Sequence, residues 1–235
     1  MSSLTIISWN IRQGGGTRVK SICQQVAEWR AEVLVFSEFR NNDSGRQLRT
    51  QLLKLGYRYQ WVTGAPAQDN AAAIFSTIPG SSTLLPASDP VYGHNILAAH
   101  FSAFTVIGVY LPHKKKHGLL PFIKNYIHDH DLPVILAGDY NTGINGVDQK
   151  GNSFWYEEEL EDLASANVED AFRYLHGSVK EYSWYSHQGN GYRYDHTYTS
   201  IELRPLIKAC YYDHAVRENK LSDHSAMVLE LGVWY

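Results

Sequence analysis

The chain has 235 residues, 44% of them hydrophobic and 13% aromatic, enough apolar material for one large globular domain expected to span 1–235. A formal charge of −3 argues against nucleic-acid binding through a broad basic surface, although a local basic patch stays possible. No run approaches the roughly 20 apolar residues of a membrane span, and no basic segment followed by an apolar stretch opens the sequence. Only two cysteines occur, Cys23 and Cys210, outside any metal-ligand spacing; they could pair, but such scarcity suits a reducing compartment. A cytoplasmic protein with no membrane partner, acting as a monomer, is expected.

In chain order, Leu4–Trp9 reads as a strand closed by the turn Gly14-Gly15-Gly16. Arg18–Trp29 has helical periodicity, with Val19, Ile22, Val26 and Trp29 on one face. Val33–Ser37 is a continuous apolar run, the mark of a buried strand. Arg46–Leu55 is again helical, and short strands follow at Tyr59–Val62 and Ala71–Phe75. Ile96–His100 and Thr105–Tyr110 suit a hairpin, Leu119–His130 a helix, Val134–Ala137 a buried strand, and Phe154–Ala166 an acidic helix. The last quarter is mostly β, at Ser183–Tyr185, Asp195–Thr199, Leu206–Tyr212 and Ser225–Leu231. Strands outnumber helices, so two packed sheets with helices outside are expected.

The polar residues next to those strands are the candidates for chemistry. Asn10, Glu38, Asp139 and Asn141 each follow an apolar strand, and Asp223 and His224 precede one. Strand ends on one edge of a sheet converge on a single crevice, so residues distant in sequence can meet there. Taken singly, each has an ordinary reading as a turn residue or surface carboxylate. Together they are oxygen donors and an imidazole, suited to a hard cation such as Mg²⁺, with Mn²⁺ as an alternative. No Cys or His cluster at zinc spacing competes. Phosphodiester cleavage needs an oriented water, neutralised phosphoryl oxygens and a stabilised leaving oxygen, and this mixture can supply all three. Asp195 is the candidate partner that orients His224 and raises its pKa; the plainer alternative pairs it with Arg193 or a turn.

Six motifs, Ser8-Trp9-Asn10, Ser37-Glu38, Tyr110-Leu111-Pro112, Gly138-Asp139-Tyr140-Asn141, Tyr192-Arg193-Tyr194-Asp195 and Ser222-Asp223-His224, resemble in order and spacing the motifs of the endonuclease/exonuclease/phosphatase superfamily. The resemblance implies a four-layer αββα sandwich with the active site at one end of the two sheets. It implies metal ligation by Glu38, Asn10 and Asp223, and water activation by Asp139. Asn141 would contact the phosphate or water, with Asp195, His224 and Tyr110 beside the phosphate. Tyr110-Leu111-Pro112 and Arg193-Tyr194-Asp195 lean toward the exonuclease III and apurinic/apyrimidinic endonuclease branch, which implies DNA as partner. Trp184, Tyr192 and Tyr194, with Arg193, match the positions of that branch's sugar pocket; packing within a sheet is the other reading of these aromatics. Ser37 before the glutamate, and Asn10-Ile11 rather than Asn-Gly, depart from the branch. His113 could instead match a catalytic histidine of other branches, so a phospholipid, sugar phosphate or RNA substrate is the alternative. Lys114, Lys115 and Lys116 either grip DNA phosphates or form a solvated loop.

Overall fold

The computed structural model describes residues 3–85, 93–112 and 118–232. Among them, fourteen strands and six α-helices alternate along the chain. The first half contains β1 Leu4–Asn10, α1 Val19–Trp29, β2 Val33–Phe39, α2 Asp43–Lys54, β3 Tyr59–Val62, β4 Ala71–Ser76, β5 Ser81–Leu84, β6 Ile96–His100 and β7 Thr105–Tyr110. The second contains α3 Leu119–His128, β8 Val134–Asp139, α4 Glu157–Asp162, β9 Val168–Asp170, α5 Ala171–His176, β10 Trp184–Tyr185, β11 Gly191–Tyr192, β12 Asp195–Ser200, β13 Ile207–Asp213, α6 Ala215–Glu218 and β14 Ala226–Leu231. No helix among the described residues is long and apolar enough to cross a membrane.

Two six-stranded sheets, ordered β13-β14-β1-β2-β4-β3 and β5-β6-β7-β8-β12-β9, pack face to face. Each has one parallel pair, β1 with β2 and β7 with β8; the other pairings are antiparallel. A parallel pair needs a crossover, and α1 and α3 supply the two. The carboxyl ends of all four parallel strands therefore lie at sheet edges, carrying Asn10, Glu38, Tyr110 and Asp139.

Alternation along each strand divides the apolar residues into three layers. Ile6, Val33, Val35, Ile74, Leu97, Val106, Ile135 and Leu229 meet between the sheets. Ile7, Trp9, Leu34 and Phe36 point outward, under Val19, Ile22 and Val26 of α1 and Leu48 and Leu52 of α2. On the far side Ile107, Val109, Val134 and Leu136 lie under Leu120 and Ile123 of α3 and Leu160 of α4. The expected four-layer αββα sandwich is observed.

Differences from the sequence reading have local causes. Helix α2 begins at Asp43, earlier than periodicity suggests, because the Asn42 side chain caps it by accepting from the Gly45 amide at 3.1 Å. The acidic helix is shorter than expected: α4 covers Glu157–Asp162 and tightens into a 3₁₀ turn over Leu163–Ala166. Strands β5, β9 and β11 and helices α5 and α6 went unforeseen, since pieces of two to six residues are too short to express a period. Both cysteines are buried free thiols.

Candidate active site

Backbone register places the candidate residues side by side. Asn10 pairs with Ser37 on neighbouring strands, and Asp139 lies between Tyr110 and Asp195. Ser37 links the two sheets: its buried hydroxyl donates to the Val109 carbonyl at 3.0 Å and accepts from the Asp139 amide at 3.1 Å. Gly138 permits that closeness, for a Cβ there would sit 1.8 Å from the Val109 carbonyl oxygen.

Glu38 owes its position to a register break between Phe36 and Phe39, where the backbone turns left-handed (φ 57°). Such bulges re-aim a side chain and cluster at functional sites. The Gln13 amide donates to Glu38 Oε2 at 2.8 Å, and the Gly14 amide to the Glu38 carbonyl at 2.7 Å. The glycine turn thus braces the glutamate. Arg18 was not singled out from the sequence, yet its guanidinium donates to the carbonyls of Ile11, Arg12 and Leu221. It fastens the turn after β1 to the segment bearing Asp223.

Asp139 is the hub. Its carboxylate accepts from Asn10 Nδ2 at 2.9 Å, the Asn141 amide at 2.9 Å and Asn141 Nδ2 at 3.1 Å. Beside it, His224 Nδ1 donates to Asp195 Oδ2 at 2.7 Å. Ligand atoms of Asp139, Asp195 and His224 all lie within 4.8 Å of one another. Burial pushes the Asp139 carboxyl up to about 7 against the pull of His224. Burial alone would lower the His224 pKa, but Asp195 and Asp139 overcome it and raise the imidazole to about 10. At neutral pH His224 is therefore an imidazolium. Trp9 Nε1 donates to the His224 carbonyl, Ser222 Oγ to that of Asn10, and Tyr212 Oη to that of Asp195, which fixes the pair from behind.

The remaining carboxylates surround the same crevice. Arg18 lies within electrostatic reach of both Glu38 and Asp223, and Tyr110 of both Glu38 and Asp139. Asp223 is 3.9 Å from Arg12 Nε, an exposed pair of small energetic weight. Burial, then the charge of Glu38, raises the Tyr110 phenol well above its ordinary pKa, so it remains a protonated donor. Asn70, also missed in the sequence, donates to Tyr110 Oη at 3.4 Å and is held by Arg40 Nε at 2.7 Å.

The aromatic trio forms a pack against the histidine. Tyr192 and Tyr194 stack with centroids 5.3 Å apart; Trp184 leans on both, and Trp184 and Tyr194 each approach His224. Both tyrosines are buried and only Trp184 is half-exposed, so packing accounts for most of the trio's surface. Arg193 requires correction. Its side chain is fully buried, bonded to Asp148 at 2.6 and 3.1 Å and to Asp170 at 2.5 Å, with no exposed surface of its own. Its alternation with Tyr192 and Tyr194 sends it to the interior, where it neutralises two carboxylates. His113, Lys114, Lys115 and Lys116 lie outside the described residues.

A strand-end crevice with this carboxylate–amide–imidazole arrangement defines a class, and the model of the Endonuclease/Exonuclease/phosphatase family matches residues 7–224; the chain belongs to that family. Exodeoxyribonucleases from two strains of Streptococcus pneumoniae are 27% identical to it over 164 residues. That alignment covers 58% of this chain and 58% of each relative, less than two thirds of their length. An AP endonuclease from Archaeoglobus fulgidus shares the fold with a TM-score of 0.86 at 19% identity, over 98% of this chain and all of that one. A 3′ phosphatase from Neisseria bound to a product DNA hairpin does so with a TM-score of 0.83 at 22% identity, over 98% and 100%.

Proposed function

We propose that this chain is a single catalytic domain that hydrolyses DNA phosphodiester bonds with a divalent metal ion, as an abasic-site endonuclease, a 3′ exonuclease or both. The observation that carries the reading is the Asp139 carboxylate, held by Asn10 and Asn141 and faced by the Asp195–His224 pair.

The donor set suits a hard cation. Asp195 and His224 are committed to each other at 2.7 Å, and an imidazolium offers a metal no lone pair. The carboxylates of Glu38 and Asp223 and the amide oxygen of Asn10 are the hard donors left to hold Mg²⁺ or Mn²⁺. When bound, the ion would supply Lewis-acid neutralisation of the phosphoryl and leaving oxygens. Asp139 orients the attacking water and takes its proton, and the raised pKa suits it to a base near neutrality. Asn141 Nδ2 donates to the Leu111 carbonyl at 3.0 Å and to Asp139 Oδ2 at 3.1 Å, so Asn141 acts by holding the Asp139 carboxylate toward the water. His224, kept cationic by Asp195, stabilises charge developing on the phosphoryl oxygens, and the neutral Tyr110 phenol donates to the same group. Trp184, backed by Tyr192 and Tyr194, bounds the sugar side, while Lys114 and Lys115 would meet flanking phosphates.

The exodeoxyribonuclease relatives and the DNA-bound phosphatase of like fold support DNA as substrate. Incubation with end-labelled abasic and intact duplexes tests it, in Mg²⁺ and again in EDTA. Metal-dependent cleavage of at least one duplex is expected. Folded protein that leaves both intact but hydrolyses a phospholipid or sugar phosphate would move the function to that substrate.

A further inference from the structure

One aromatic residue beside the site has no part in the chemistry above. Trp155 is 76% exposed, and its indole makes no hydrogen bond or ring contact with any described residue. A single exposed apolar side chain is ordinary on a protein surface. The backbone around this one is not ordinary. The Phe154 amide donates to Asn145 Oδ1 at 2.8 Å, the Asn145 amide to Glu157 Oε1 at 2.6 Å, and Asn145 Nδ2 to Glu157 Oε2 at 2.5 Å. The Asn152 amide donates to Tyr192 Oη at 3.1 Å. Phe154 itself packs edge-on against Tyr192 and Tyr194, each at 5.9 Å. The segment is pinned on both sides of an indole left in solvent.

Its place in the fold is equally specific. The segment follows Asp139 and Asn141 off the carboxyl end of β8 and leads into α4, whose chain runs on to β9 at the far end of β12. Two ring contacts, Phe154 to Tyr194 and Tyr194 to His224 at 6.4 Å, link the residue next to Trp155 to the reacting centre. Aromatic faces bind nucleobases by stacking with little regard for sequence, and a ring held on fixed backbone loses little freedom in doing so.

We propose that Trp155 is a stacking platform for an unpaired nucleobase of the strand flanking the scissile phosphate, so that the favoured substrate has a single-stranded stretch of a few nucleotides beside the cut. The inference rests on the DNA-phosphodiesterase reading and adds the form of its substrate.

The test compares KM for a long single-stranded oligothymidylate with KM for the dinucleotide, in Mg²⁺, for wild type, Trp155→Ala and Trp155→Phe. A stacked base strengthens binding by about tenfold, so Trp155→Ala should lose about tenfold of the long substrate's KM advantage, and Trp155→Phe should recover most of it. In EDTA, where nothing is cleaved, the oligothymidylate should quench wild-type indole fluorescence more than that of Trp155→Ala. An unchanged long-to-short KM ratio with unchanged quenching, in protein that cleaves DNA, overturns the platform and leaves the nuclease reading intact. Where wild-type protein cleaves neither of these single strands, the duplex assay above decides the nuclease reading, and the quenching in EDTA decides on Trp155 by itself.

Discussion

Asp139 and His224 sit in one buried network but have separable parts. Replacing the carboxylate by an amide in Asp139→Asn keeps the shape and, through its one oxygen, the bonds from Asn10 Nδ2 and Asn141 Nδ2, while giving up the bond from the Asn141 amide and removing the base. Turnover should fall at least about a hundredfold, with circular dichroism and melting unchanged. His224→Ala should cost a similar factor by removing the cation beside the phosphate. Wild-type rates in both variants, measured on the same DNA, would contradict the roles given to them. The participants were readable in the sequence because each polar residue interrupts or ends an apolar run. Their supports were not. Ser37, Asn70 and Arg18 hold the site through contacts 30 to over 200 residues distant in the chain, and no local pattern encodes such partners. Arg193 differs for a related reason, since its partners Asp148 and Asp170 lie 45 and 23 residues away in the chain and motif position does not reveal them.

At the scale of elements, the two crossover units did most to make the fold legible. Continuous apolar runs at Val33–Ser37 and Val134–Ala137 and the periodic helices before them are visible in the sequence. Edge and connecting pieces were not, because β5 is exposed and polar and α5 is a six-residue helix begun by the Asp170 cap. The tightest junction is Gly138, where β8 meets β7 with no room for a Cβ. Gly138→Ala should shift backbone on both strands and lower stability by about 3 kcal/mol, an overpacking cost at the upper end of the usual range. The melting temperature should drop by roughly 6–12 °C. Gly64→Ala, where a Cβ meets open space, should melt like wild type. Equal melting of the two variants would show that the junction is looser than described.

For the whole molecule, the buried charge cluster governs behaviour in acid. Burial alone would raise the Asp170 carboxyl, but Arg193 and His196 reverse that and hold it well below the usual carboxylate range. Asp148 is likewise lowered, by Arg193 against its own burial. A depressed native pKa contributes stability that is complete above the unfolded value of about 4 and is lost as pH falls through the native value. Stability should therefore decline steeply below about pH 4. Arg193→Ala, which leaves Asp148 with Arg173 and Asp170 with His196 as their remaining partners, should cost about 3 kcal/mol at neutral pH and flatten the acid limb. Denaturant melts of both proteins between acid and neutral pH measure this, and parallel pH profiles would contradict it.

Assembly of these strand ends around one hydrated cation underlies the whole account. Manganese binding followed by electron paramagnetic resonance tests it most directly, on wild type, Glu38→Gln and Asp139→Asn. Wild-type protein should bind Mn²⁺ at a site competed by Mg²⁺. Glu38→Gln should weaken that site by at least about tenfold, as loss of a carboxylate ligand implies, and Asp139→Asn should affect it less. Equal Mn²⁺ affinity in wild type and Glu38→Gln, or no bound ion at all, would contradict the central claim.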